Sequence, residues 1–170
     1  MLDTSAFIAG YDPLSVSDEQ YTVPKVTEEL TADSLPWVRL NAAVESGKLK
    51  IKTPVESSIR RVEESSKTVG DMLYLSEADL HVLALALELK DAEYLPSIVT
   101  DDYSIQNVAN HIGVGFSSLM TFGIRYRLYW ILYCPECHHK YPPNYKMKKC
   151  KICGTMLKRK PLSKELLNQR

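Results

Sequence analysis

Four cysteines lie in the C-terminal part of this 170-residue chain, in two pairs of the same spacing. Cys134 and Cys137 form the first pair, and Cys150 and Cys153 form the second pair, with twelve residues between the two pairs. Each pair can turn two thiolates toward one tetrahedral ion, and zinc is the ion that four thiolates typically bind. Two disulfides are the alternative, which a reducing compartment disfavours. The spacing therefore predicts a structural zinc site without an open position for catalysis.

Basic and aromatic side chains are interleaved with these cysteines. The residues concerned are Lys146, Lys148, Lys149, Lys151 and Tyr145. Residues 121–170 contain 12 basic and 2 acidic side chains, whereas residues 1–120 contain 9 basic and 19 acidic ones. Cations that contact phosphates beside a ring that stacks on a base are typical of a surface that binds single-stranded nucleic acid. A solvated basic face is the alternative interpretation.

The N-terminal part carries carboxylates at positions where strands end or helices begin. Six of them are candidates for chemistry: Asp3, Glu28, Glu29, Asp79, Asp101 and Asp102. Ligand sites of parallel sheets lie at the carboxyl ends of the strands. Carboxylates that converge there repel one another, and a hard divalent cation such as Mg²⁺ or Mn²⁺ relieves the repulsion. Such an ion can support the cleavage of a phosphodiester bond.

Most of these carboxylates also have a structural explanation. Ser76 and Asp79 have the spacing of a helix capping box, and either aspartate of the 101–102 pair can cap a helix. The two glutamates are favourable in the first turn of a helix, where the sequence places them. Asp3, between an apolar segment and a turn of small residues, has no such alternative role.

The segments that carry the carboxylates alternate between strand and helix patterns, which predicts an α/β fold with a parallel sheet covered on both faces. Strands are predicted at 1–4, 21–23, 48–53, 96–100 and 114–116. Helices are predicted at 24–30, 34–46, 54–68, 76–89 and 102–111. No signal peptide and no apolar run of bilayer length is found, so we expect a cytoplasmic protein without a membrane partner.

The order of the acidic motifs resembles that of PIN-domain nucleases. Residues 2–8 (LDTSAFI) are similar to their opening strand, 26–30 (VTEEL) to their helix-borne Glu, 75–79 (LSEAD) to their helix-borne Asp, and 100–102 (TDD) to their third Asp motif. The longer segment 100–109 (TDDYSIQNVA), followed by four cysteines, resembles the NIN-one-binding family. Its members are archaeal and eukaryotic endonucleases that mature the 3′ end of small-subunit ribosomal RNA.

The resemblance implies a PIN-like parallel sheet with helices on both faces and a small C-terminal four-cysteine zinc ribbon. It implies a nuclease domain at 1–122, the ribbon with its entry strand at 123–160, and a tail at 161–170 for which disorder is one interpretation. The implied ligands of a catalytic Mg²⁺ or Mn²⁺ are Asp3, Glu29, Asp79 and Asp102. Second choices for the site are Asp101, Glu28, Ser5, Thr100 and Asn107.

The implied function is that of a metal-dependent endoribonuclease that cleaves single-stranded pre-rRNA at the 3′ end of 16S rRNA, with the precursor of the small ribosomal subunit as its partner. A toxin-type PIN ribonuclease and a non-catalytic RNA-binding adaptor are the alternatives. Apolar burial would stabilise the nuclease domain and metal binding the ribbon. We therefore expect a chain that ends near Phe122 to keep the chemistry and to lose RNA affinity.

Overall fold

The computed structural model of the protein describes residues 1–119 and 126–166. Its N-terminal part contains four short parallel strands, which form two pairs. β1 pairs with β2, and β3 pairs with β4. The strands are β1 (Gln20–Thr22), β2 (Leu49–Ile51), β3 (Ser97–Val99) and β4 (Gly115–Ser117).

The N-terminal segment joins the two strand pairs into one sheet. The amide of Leu2 donates to the carbonyl of Tyr21 at 2.8 Å, and the amide of Asp3 donates to the carbonyl of Val99 at 3.3 Å. The predicted first strand is nevertheless wrong in extent, because only Leu2 forms a β-bridge and the first helix begins at Thr4. Asp3 thus lies at the carboxyl end of this central segment, as the sequence indicates.

Six α-helices of the described part of the chain flank the sheet, and the five that the sequence predicts are found with ends within two residues of the predicted ones. Glu28 and Glu29 lie in the last turn of the second helix and not in its first, because Pro24 sets the N-terminus. The helices are α1 (Thr4–Ile8), α2 (Pro24–Glu29), α3 (Leu35–Glu45), α4 (Glu56–Val69), α5 (Glu77–Asp91) and α6 (Tyr103–His111). None of the helices that the structure describes is long and apolar enough to cross a membrane.

Helix α5 lies at the centre of the main core. Every residue from Val82 to Leu87 is buried, which means that the helix is covered on all sides. It contacts α2, α4, α6 and β3. The helix that carries Asp79 is therefore held rigidly by its surroundings.

The C-terminal part is a three-stranded antiparallel sheet with the cysteines at one end. Its middle strand is β5 (Tyr126–Tyr133), which pairs with β6 (Lys140–Tyr141) on one side and with β7 (Lys158–Leu166) on the other. Disorder of the tail is thus wrong for residues 161–166, because β5 offers them an edge to pair with. Residues 167–170 lie outside the described part of the chain.

Strand β5 also packs against the N-terminal part of the protein. Tyr129 packs on the main core, and a Cβ added at Gly70 would lie 2.5 Å from the carbonyl oxygen of Trp130. Leu73, from the N-terminal part, packs on the small core around the cysteines. The two parts therefore share an interface that the sequence did not predict. The proposed boundary at residue 122 lies outside the described residues and stays a prediction.

Gly70 should tolerate a side chain less well than a glycine of similar backbone conformation elsewhere. Gly70 has a φ of +84° and faces Trp130, whereas Gly47 has a φ of +73° and no other atom within 4 Å of an added Cβ. We expect Gly47→Ala to lower the free energy of unfolding by about 1 kcal/mol through backbone strain. Gly70→Ala should lose about 1–3 kcal/mol more, because the methyl group also displaces β5. Urea unfolding of both variants measures the difference, and equal losses would contradict the tight contact.

Candidate active site and metal centre

Asp3 is the buried centre of the acidic site, with 2% of its surface exposed. Its Oδ2 accepts hydrogen bonds from the hydroxyl of Ser5 at 2.8 Å and from that of Thr100 at 2.9 Å. The same hydroxyl oxygens accept the amides of Asp101 and Asp102, both at 3.1 Å. Ser5 and Thr100, second choices from the sequence, thus tie Asp3 to the loop that carries the other aspartates.

The other oxygen of Asp3 has no protein partner. Its Oδ1 is buried and accepts no hydrogen bond from any residue that the structure describes. Burial raises the pKa of Asp3, and the hydroxyls of Ser5 and Thr100 together with the backbone amides of Thr4 and Ser5 oppose this rise. A buried carboxylate oxygen without a partner is costly, and a cation is the partner that satisfies it best.

The two adjacent glutamates at the end of α2 have different partners. Glu29 accepts a hydrogen bond from the hydroxyl of Thr4 at 2.5 Å, next to Asp3 in the chain. Glu28 instead forms an ion pair with Lys25 at 3.0 Å, and 60% of its side chain is exposed. The geometry therefore supports Glu29 as the member of the acidic site.

Asp79 and Asp102 complete the acidic site from two helix N-termini. Asp79 accepts the amide of Ser76 at 2.7 Å and the hydroxyl of Ser76 accepts the amide of Asp79, so the capping box is present. The pKa of Asp79 is raised to about 6, mainly by burial and in addition by the charges of Asp3 and Asp102, against the hydrogen bonds from Ser76. Asp102 caps α6 by accepting the amide of Ser104 at 2.6 Å. Both aspartates thus cap a helix and also contribute to one field of negative charge.

Two second-choice residues face away from this group. Asp101 accepts a hydrogen bond from the hydroxyl of Ser118 and, at 3.1 Å, from the amide of Leu119. Asn107 is buried and donates to the carboxylate of Asp71 at 2.6 Å. The sequence analysis did not identify Asp71 as a candidate, because Asp71 follows a helix, α4, and not a strand.

The acidic site fits a hydrated cation better than a fully protein-bound one. Among the residues that the structure describes, the four cysteines are the one group of Cys, His, Asp or Glu whose ligand atoms all lie within 4.8 Å of one another. No three carboxylates of the described residues form a second group of this kind. Mg²⁺ typically keeps several waters and contacts only one or two carboxylates. Asp3, with its unpartnered buried oxygen, is the best-placed direct ligand.

The four cysteines are arranged to bind one metal ion. The Sγ atoms of Cys134 and Cys153 lie 3.3 Å apart, those of Cys137 and Cys150 lie 3.5 Å apart, and none of the four is in a disulfide. Tetrahedral zinc with Zn–S distances of about 2.3 Å places its sulfurs about 3.8 Å apart. The spacing is therefore close to that of a four-thiolate site.

Two matching turns present the cysteines. The residue after each pair, His138 or Gly154, has a left-handed backbone with φ of 58° or 76°. In each turn the first cysteine's sulfur accepts a backbone amide: Cys137 N to Cys134 Sγ at 3.5 Å, and Ile152 N to Cys150 Sγ at 3.4 Å. Such amides stabilise thiolate charge, so both turns are shaped for deprotonated sulfur.

The basic residues near the cysteines are exposed, but the ring of Tyr145 is partly covered by neighbouring side chains. Lys146, Lys148, Lys149 and Lys151 all face solvent. The ring of Tyr145 stacks on Tyr141 at 4.4 Å between centroids, and the ammonium of Lys151 lies 5.4 Å from the Tyr145 centroid. Tyr145 is therefore less accessible to a stacking base than the sequence suggests.

Loss of one cysteine should abolish metal binding at the cysteine site. Purified protein should contain about one tightly bound metal ion per chain, whereas Cys150→Ser should lose it, because three thiolates leave the tetrahedron incomplete. Ile152→Ser is the matched control, since Ile152 belongs to the same turn and its side chain is 65% exposed. Elemental analysis measures the metal content, and equal metal in Cys150→Ser and the control would contradict the site.

The raised pKa of Asp79 predicts a pH dependence of cation binding. A folded-state pKa of about 6 lies above the ordinary value of 3.8, so metal-free stability is fully present below about pH 4 and declines as the pH rises through about 6. A cation needs the ionised carboxylate, so Mn²⁺ affinity should increase from about pH 5 to about pH 7. Electron paramagnetic resonance of free Mn²⁺ gives the affinity, and a constant value across this range would contradict the prediction.

Comparisons with known proteins agree with this geometry. A family model described as the PIN domain of ribonuclease matches residues 1–89. Endoribonuclease Nob1 of Methanothermobacter thermautotrophicus is 40% identical over 160 residues, which covers 94% of this chain and 91% of that protein. Endoribonuclease Nob1 of Methanocaldococcus jannaschii is 38% identical over 170 residues, which covers 100% of this chain and 81% of that protein.

A eukaryotic relative matches a shorter segment. The 20S-pre-rRNA D-site endonuclease NOB1 of Saccharomyces cerevisiae is 40% identical over 70 residues, which covers 41% of this chain and 15% of that protein. The archaeal matches extend over both the acidic site and the cysteines. The resemblance predicted from the acidic motifs and the cysteine pairs is thereby confirmed, and the chain belongs to the Nob1 family of PIN-domain endoribonucleases.

Proposed function

We propose that this protein is a metal-dependent endoribonuclease that cleaves single-stranded pre-rRNA at the 3′ end of 16S rRNA, in the cytoplasm, on the precursor of the small ribosomal subunit. The observation that carries the proposal is the buried Oδ1 of Asp3, which accepts no hydrogen bond from the described residues and lies at the carboxyl end of the central sheet segment, within reach of the charge of Asp79. The similarity to archaeal endoribonucleases and to the yeast 20S-pre-rRNA D-site endonuclease supports this substrate class.

The four acidic residues differ in solvent exposure, and we expect their roles in cation binding to differ accordingly. Asp3 is buried, Asp79 is half-buried, and Glu29 and Asp102 are exposed, so the site opens from a rigid floor toward solvent. Asp3, Glu29, Asp79 and Asp102 would together hold Mg²⁺ or Mn²⁺. When bound, such an ion supplies a Lewis acid for the phosphodiester and neutralises charge that would otherwise repel RNA.

The residues around these carboxylates have positioning roles. Ser5 and Thr100 fix one oxygen of Asp3 and leave the other free for a cation. The hydroxyl of Thr4 donates a hydrogen bond to the carboxylate of Glu29 and would orient it. The helix N-termini at Asp79 and Asp102 place partial positive charge behind the carboxylates and help to keep them ionised.

The cysteine site would hold one structural zinc, since four thiolates leave no open coordination position. The exposed Lys146, Lys148, Lys149 and Lys151 would capture RNA through its phosphates. Tyr145 would contribute only through the parts of its ring that Tyr141 does not cover. A toxin-type ribonuclease or a non-catalytic adaptor fits less well, because the archaeal Nob1 endoribonucleases match more than nine-tenths of this chain.

Substitution of single carboxylates tests the acidic site. We expect Asp3→Asn and Glu29→Gln to lower the single-turnover rate on a short RNA that spans the 3′ end of 16S rRNA by at least about a hundredfold, with RNA affinity nearly unchanged. Asp3→Asn should also raise the free energy of unfolding of the metal-free protein, because it removes a buried charge.

The neighbouring glutamate provides the matched control. Glu28→Gln should cleave at the wild-type rate, because Glu28 pairs with Lys25 outside the acidic site. A wild-type rate in purified Asp3→Asn would refute the catalytic assignment. A reversed order, with Glu28→Gln inactive and Glu29→Gln active, would exchange the roles of the two glutamates.

A further inference from the structure

Arg159 connects the C-terminal strand β7 to the N-terminal part of the protein. Its Nη1 donates to Oδ1 of Asp71 at 2.6 Å. Its guanidinium carbon lies 3.9 Å from the ring centroid of Tyr74 and 4.3 Å from that of Trp130. The cation is thus held between two aromatic rings, one from each part of the protein, where cation–π attraction adds to the ion pair.

The partner of Arg159 is a fully buried carboxylate. The side chain of Asp71 is 1% exposed, whereas that of Arg159 is 25% exposed. The pKa of Asp71 is raised to about 6 by burial and, to a smaller extent, by the charge of Asp102, against the hydrogen bond from Asn107 and the charge of Arg159. Asp71 therefore lies within electrostatic reach of the acidic site without being one of its carboxylates.

The second oxygen of Asp71 fixes α6. Oδ2 accepts a hydrogen bond from Nδ2 of Asn107 at 2.6 Å. The amide group of Asn107 also pairs with the backbone of Leu128 in β5, accepting its N–H at 2.8 Å and donating to its carbonyl at 2.7 Å. Each of the three side chains of this network, Arg159, Asp71 and Asn107, thus has specific partners.

The network joins the two elements that carry exposed parts of the acidic site. Asp71 begins the short segment that leads to the capping box of α5, and so to Asp79. Asn107 belongs to α6, which begins at the capping residue Asp102. A change in the position of Asp71 would therefore alter the separation of Asp79 and Asp102.

We propose that Arg159 is a positioning residue for the acidic site, through which the C-terminal strand β7 fixes Asp79 and Asp102 relative to each other. Without Arg159, Asp71 would be a buried charge without a countercharge and would have to move or bind a proton. A chain that ends near Phe122 lacks Arg159, so it should lose cation affinity as well as RNA affinity. This differs from the independent action of the two parts that the sequence predicts.

The role in cleavage rests on the proposed endoribonuclease activity, but the role in cation binding does not. The test therefore measures Mn²⁺ affinity of the full chain without RNA, by electron paramagnetic resonance, and separately the single-turnover rate at saturating RNA. Arg159→Met removes the charge and keeps an unbranched side chain between the rings. We expect both the affinity and the rate to fall about tenfold to a hundredfold, the usual effect of removing a residue that orients metal ligands.

Lys158→Met is the matched control, because it removes one positive charge from the adjacent, exposed position of β7. This control should keep the Mn²⁺ affinity and the rate at saturating RNA. Asp71→Asn combined with Arg159→Met should regain Mn²⁺ affinity relative to Arg159→Met, because no unpaired charge remains. If Arg159→Met does not fold, Arg159→Lys serves instead, with an affinity below that of the wild type because lysine cannot reproduce the planar stack.

Two results would overturn the proposal. One is wild-type Mn²⁺ affinity and cleavage rate in folded Arg159→Met or, where that variant does not fold, in Arg159→Lys. The other is a lower unfolding midpoint in these variants with unchanged Mn²⁺ affinity, which would make the ion pair a stabilising contact only. A wild-type protein that binds Mn²⁺ as expected but cleaves no RNA would contradict the proposed activity and leave the role of Arg159 intact.

Discussion

The arrangement of residues around the sheet edge depends on one constraint, which is the burial of the negatively charged Asp3. Asp3 is almost inaccessible to solvent, and Asp79 and Asp102 lie close enough for their charges to interact with one another or with Asp3. Desolvation and mutual repulsion both oppose ionisation of such a group. The fold must therefore supply hydrogen-bond donors, helix N-termini and countercharges around it, and it leaves one oxygen for a cation.

The surrounding elements meet this need in different ways. Hydroxyl groups of Ser5 and Thr100 donate to one oxygen of Asp3, and three aspartates lie at the N-termini of α1, α5 and α6, where the helix dipole favours negative charge. These contributions are local to the sheet edge. The only buried carboxylate that receives a full countercharge in the described part of the chain is Asp71, and its partner comes from β7.

The small C-terminal sheet therefore also contributes contacts to the N-terminal part of the protein. Its cysteine core is too small to fold by apolar burial alone, so a metal ion must contribute to its stability. Strand β5 nevertheless packs on Gly70 and on the main core, and β7 delivers Arg159 to Asp71. Strands β5 and β7 therefore connect the cysteines with Asp71. If Arg159 acts as we propose, metal binding at the cysteines and cation binding at the carboxylates would be linked through these two strands.

The sequence alone determined the features that depend on local spacing. The two cysteine pairs, the ends of five helices and the order of the acidic motifs all follow from residues close together in the chain. The resemblance favours Glu29 over Glu28, but the contact that supports this preference belongs to the tertiary structure, because Thr4 lies on another helix. So does the ion pair of Asp71 with Arg159, whose residues are 88 positions apart. Burial and long-range pairing decide these contacts, and a single sequence carries no local pattern that reveals either.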